Sequence, residues 1–141
     1  MRSAAPARRF GLDEAALCAA ALTAALLAAS GATLAQAPSA ILPPKGFVAD
    51  PTRGAALFQK HCIECHGRDA RGNVWGPSLL HPGYRPDHHS DLAFYIAIQQ
   101  GVGQHHWQFG DMKAVPALSP EEAGHVISWI RSEQKKAGVI P

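Results

Sequence analysis

The sequence predicts a small, loop-rich, all-α domain of three to five helices, and three observations carry the prediction. Helix starts are written at Asp50-Pro51, at Ser90-Asp91 and at Ser119-Pro120-Glu121-Glu122. Each puts a side-chain acceptor ahead of the backbone amides that lack partners in a helix's first turn. The stretches between them are rich in Gly, Pro, Asn and Asp, which interrupt helices and strands alike. No segment carries the apolar–polar alternation of a half-buried strand.

The N-terminus comes first. Arg2, Arg8 and Arg9 precede an apolar stretch, Ala15 to Ala29, made almost wholly of Ala and Leu. A spanning helix needs roughly 20 apolar residues, and Ser30 and Gly31 end this run early. The expectation is an export signal over residues 1–35, cut after Ala35. Thr33 at the minus-three position, and Asp13 and Glu14 ahead of the apolar run, leave an uncleaved membrane anchor as the alternative. Of the chain's 13 basic and 11 acidic residues, ten and nine lie beyond residue 35, a formal charge of +1 with neutral histidines. Such a balance carries no nucleic-acid footprint and gives little long-range steering.

Residues 36–49, with Pro38, Pro43 and Pro44, read as an extended tether, and residues 50–141 as one folded domain. The first helix is expected from Pro51 to Cys62. Gly54 weakens it, so another element should cross close by, with Phe58 a turn further along the same face. Residues Gly67 to Pro86 read as an ordered loop. Ser90 or Asp91 opens a second helix, Leu92 to Gln100, closed by Gly101, with Leu92, Tyr95, Ile96 and Gln99 on one side. Ser119, Pro120 and Glu122 form a capping box for a last helix reaching about Lys136. Val126, Ile127 and Ile130 give that helix an apolar stripe beside Trp129, and Lys135 and Lys136 suit its C-terminal dipole.

Once residues 1–35 are set aside, Cys18 goes with them, and both remaining cysteines fall in Cys62-Ile63-Glu64-Cys65-His66. That spacing lets two sulfurs reach the vinyl groups along one porphyrin edge while the adjoining imidazole turns under the iron. His66 is then the proximal axial ligand. Two other uses of Cys-x-x-Cys stand beside this one. A redox dithiol expects a βαβ setting, and a zinc site expects four Cys or His ligands, which His61, His66, His88, His89, His105 and His106 could complete. For the iron's sixth position Met112 is the one methionine beyond residue 35, in a loop before the last helix. Met112 as an apolar gap-filler is the alternative. His105 and His106 are rival sixth ligands or plain loop histidines, and His61, His81, His88 and His89 read as ordinary surface side chains.

From Pro51 to Gly138 the chain resembles the class I cytochrome c family, in particular its short bacterial monohaem members. Gly54 and Phe58 stand where that family crosses its first helix over its last, at Trp129 and Ile130. Gly76-Pro77 with Leu79 resembles the segment beside the proximal ligand, which implies that the Pro77 carbonyl accepts a hydrogen bond from His66. Phe109-Gly110-Asp111-Met112 and Leu118-Ser119-Pro120 resemble the methionine loop and the start of the last helix. One departure is Lys113, where many relatives have proline, which implies a looser loop.

The resemblance implies a small cytochrome c-like fold around one covalently bound haem c. Cys62 and Cys65 would attach it, and His66 and Met112 would hold the iron. Phe58, Trp75, Leu79, Tyr95 and Phe109 would keep water from it. The implied activity is one-electron transfer between redox proteins such as a dehydrogenase or an oxidase, without catalysis. The implied setting is a periplasmic monomer that binds no nucleic acid and touches a membrane only if its N-terminal segment stays uncleaved.

Overall fold

The structure, a computed structural model, describes residues 41–141; the expected export signal lies outside them. Four α-helices follow in order: α1 (Pro51–His61), α2 (Ile63–His66), α3 (Asp91–Gln100) and α4 (Pro120–Lys136), with one 3-10 turn at Pro82–Tyr84. There is no strand among the described residues, only two isolated bridges. No helix among them is long and apolar enough to cross a membrane.

Local chemistry sets the helix ends. The Asp50 side chain accepts from the Thr52 and Arg53 amides ahead of α1. Ser90 caps α3, and Gly101, at φ 78°, ends it. At α4 the Ser119 and Glu122 side chains each accept from the other's backbone N–H, a complete capping box. The first helix stops one residue earlier than expected. Cys62, at φ −124°, breaks it, and the chain turns into the short α2 that carries Cys65 and His66.

The fold is organised by the crossing of α1 over α4. A Cβ at Gly54 would overlap the His125 carbonyl oxygen, so the two backbones touch where only hydrogen fits. One turn on, the Phe58 ring lies 4.3 Å from that of Trp129, and Phe58 is wholly buried. His125, buried inside α4, accepts at Nδ1 from the Asp50 amide at 2.8 Å and so fixes the start of α1 to the same crossing. Val126, Ile127 and Ile130 are buried as expected.

Two expectations are corrected. The α3 face was assigned to Leu92, Tyr95, Ile96 and Gln99, but the buried residues are Phe94, Tyr95 and Ile98. Leu92 and Ile96 are exposed. The helix is apolar nearly all round, so sequence periodicity does not single out the side that meets α4. The tether is, from residue 41 onward, laid on the domain. Ile41 packs against the core and its carbonyl accepts from Gln99 Nε2. Phe47 lies 5.0 Å from the His125 ring.

Arg131 on α4 binds the long loop to the helices. Its guanidinium donates to the Asp91 carboxylate at 2.8 Å, to the Tyr84 carbonyl at 2.7 Å and to the His89 carbonyl at 2.6 Å. It also lies over the Phe94 ring, 4.7 Å from its centroid. Next to it, wholly buried Gln134 donates to the Leu79 carbonyl at 2.8 Å. The loop after α2 is therefore anchored to α4 through its own backbone carbonyls.

Candidate haem site

Cys62, Cys65 and His66 arrive together because only Cys62 separates α1 from α2. Both cysteines are free, Cys62 half-buried and Cys65 exposed. The following loop folds back on them. Gly72 N–H donates to the His66 carbonyl at 2.7 Å, and Asn73 Nδ2 donates to the Glu64 carbonyl at 2.9 Å. Gly76 passes so close that a Cβ there would lie 2.8 Å from the Cys65 carbonyl oxygen. That approach delivers Pro77, whose carbonyl oxygen is 3.0 Å from His66 Nδ1. A carbonyl can only accept, so Nδ1 holds the proton and the Nε2 lone pair is left free. Burial lowers the proton affinity of His66, with the Pro77 bond opposing it, and the ring is a neutral donor at neutral pH.

Two cavities meet at these residues. One, of about 370 Å³, is walled by Phe58, Leu79, Phe94, Ile98, Val126 and Ile130. The other, of about 420 Å³, opens past Cys65, Trp75, Pro77 and Phe109. Cys62, His66 and Met112 line both. Met112 is held by its own loop. Val102 and Met112 exchange both backbone hydrogen bonds, at 3.0 and 2.9 Å, and Gly101 turns at positive φ where a Cβ would lie 2.6 Å from the Met112 carbonyl. Asp111 accepts from the Gln104 amide, whose side chain accepts from Gly110. The loop that lacks proline after the methionine is thus closed by backbone pairing instead.

The shielding set is revised. Phe58 and Leu79 are buried and line the first cavity. Tyr95 lines neither cavity; its hydroxyl is directed at Gly124 of α4. Trp75 and Phe109 stand 70% and 42% exposed, because the turn closed between Asn73 and Gly76 projects the indole outward. They form a rim around the opening. Tyr84, unremarked in the sequence, takes an inner position and stacks on Trp107 at 5.4 Å. Burial pushes its hydroxyl pKa up to about 12.

The donor set fits a covalently attached porphyrin better than either alternative. Burial, and then the neighbouring Cys65 sulfur, push the Cys62 thiol up to about 12, so the thiolate that dithiol exchange needs is scarce. Among the described residues neither cysteine belongs to a group of three ligands close enough to share a metal ion. What does lie beside Cys62 and His66 is a long, mostly apolar cleft with a neutral imidazole on one wall and a thioether lining it. His105 lines the cleft, with Nδ1 tied to the Gly103 carbonyl, and both it and His106 are exposed.

A helical domain with a Cys-x-x-Cys-His turn opening into an apolar cleft defines a covalent-haem protein. The family pattern described as Cytochrome c matches residues 51–134. The chain belongs to the cytochrome c family. No curated protein matches it. The domain accordingly carries covalently bound haem c with its iron, Cys62 and Cys65 occupying the attachment motif, and its general role is that of a haem electron carrier.

Proposed function

We propose that the protein is an exported one-electron carrier of the periplasm, with His66 and Met112 as the two axial ligands of a single haem. The observation that carries this reading is that His66, with Nε2 free, and backbone-held Met112 line the same two cavities. When bound, the haem iron supplies a one-electron couple between ferric and ferrous states. The chain's own residues do the rest. Pro77 holds the His66 proton on Nδ1, which orients the ring and raises its basicity. A thioether from Met112 favours the ferrous state relative to a second nitrogen ligand. Phe58, Leu79 and Ile98 keep water from the cleft.

A carrier must also meet partners briefly. Trp75, Phe109 and Val102 expose apolar surface around the cleft, which supports small, transient contacts with a dehydrogenase or an oxidase. The basic N-terminus and Ala/Leu stretch support export. Absorption spectroscopy tests the reading. The ferric protein should show the weak far-red band of methionine ligation, and the ferrous protein should bind carbon monoxide slowly. Met112→Ala should abolish the band and open the iron to carbon monoxide. A wild-type protein without the band that binds the gas at once would replace the carrier with a ligand-binding haem protein.

A further inference from the structure

Five of the chain's eight histidines, His81, His88, His89, His105 and His106, gather at one side of the cleft, where His88, His89 and His105 also line its wall, and the proposed function uses none of them. We infer that His88, His89 and His106 form a second metal site, distinct from the haem iron, for a divalent transition ion of zinc-like chemistry. One ring nitrogen from each lies within 4.8 Å of the other two. The Nε2 atoms of His88 and His106 are 3.3 Å apart. Two nitrogens each about 2.0–2.1 Å from a tetrahedral zinc stand about 3.4 Å apart, so these side chains already hold the separation that a shared ion requires. As a hydrogen bond the pair is poorer, being longer than the usual N–H···acceptor distance.

The third ligand is oriented from behind. His89 Nδ1 contacts the Gly83 carbonyl oxygen at 2.5 Å, which places the proton there and leaves Nε2 for the ion, the arrangement typical of metal-binding imidazoles. Arg131 fixes the backbone carbonyl of the same residue. His105 packs against His106, ring centroids 4.4 Å apart, and is placed to approach a fourth position that water can otherwise fill. Three imidazole nitrogens select zinc-like or cupric ions over magnesium or calcium, which prefer oxygen. Such an ion would join the loop after the 3-10 turn to the loop that bears Met112.

The inference rests on the histidine geometry and stands whether or not Met112 binds iron. The test uses the intact haem protein, stripped with chelator and titrated calorimetrically with zinc chloride at neutral pH. One equivalent should bind, and His88→Gln and His106→Gln should each weaken binding by at least about tenfold. Both substitutions change exposed side chains, so an unaltered haem spectrum and unfolding midpoint show that the fold is kept. Absence of saturable binding, or full-strength binding in folded His106→Gln, overturns the site.

Discussion

Gly54 shows what one hydrogen atom decides. A helix-interior glycine costs about 1 kcal/mol of propensity, which is why the sequence alone pointed to a close crossing here. The His125 carbonyl occupies the space a methyl group would need. Gly54→Ala must therefore force α1 and α4 apart, taking Phe58 from Trp129. We expect a loss of about 3 kcal/mol in the denaturant unfolding of the haem protein, the upper end for overpacking; a loss under about 0.5 kcal/mol would show that the crossing yields easily. His125 was not legible in the same way. Its partner is the Asp50 amide 75 positions away, and nothing within a turn of a histidine announces a buried acceptor so distant in sequence. Cys62, Cys65 and His66 were legible because their chemistry requires adjacency. The gathering of His88 with His106, 18 positions apart, was not.

At the scale of elements, helix starts were readable because capping is local: Asp50, Ser90 and Ser119 each bind amides within three residues. The buried side of α3 was not, since that side is chosen by tertiary neighbours. The long loop is the harder case. It has no periodicity to read, yet Arg131 and Gln134 anchor it through three of its carbonyls, those of Leu79, Tyr84 and His89. Arg131→Met keeps much of the apolar stem and removes the donors, leaving the His89 carbonyl without a partner and the Tyr84 carbonyl with only the 3.3 Å bond from Gln134 Nε2. An unsatisfied buried group costs about 1–3 kcal/mol, so a loss of about 3 kcal/mol is expected in the same unfolding measurement. Amide hydrogen exchange should rise at residues 79–89 before it rises in α1. If exchange rises evenly instead, the anchor is not local.

For the molecule as a whole, the cleft and the core are one object. Phe58, Val126 and Ile130 belong both to the α1–α4 packing and to the wall of the inner apolar cavity. Left unfilled, that cleft would expose the apolar side chains of its wall to water, and burial of apolar surface is the main favourable term in folding. The whole stability of a domain this size is about 5–15 kcal/mol. The prosthetic group is thus needed for folding as much as for redox chemistry. Cys62→Ala and Cys65→Ala, made in a host that attaches haem, should each leave little compact protein, and the double substitution should leave almost none. Immunoblotting, haem staining and limited proteolysis of the expressed protein measure this directly. A normal yield of protease-resistant, haem-free double variant would mean that α1, α3 and α4 close the cleft by themselves, and the core would then have to be assigned to the helices alone.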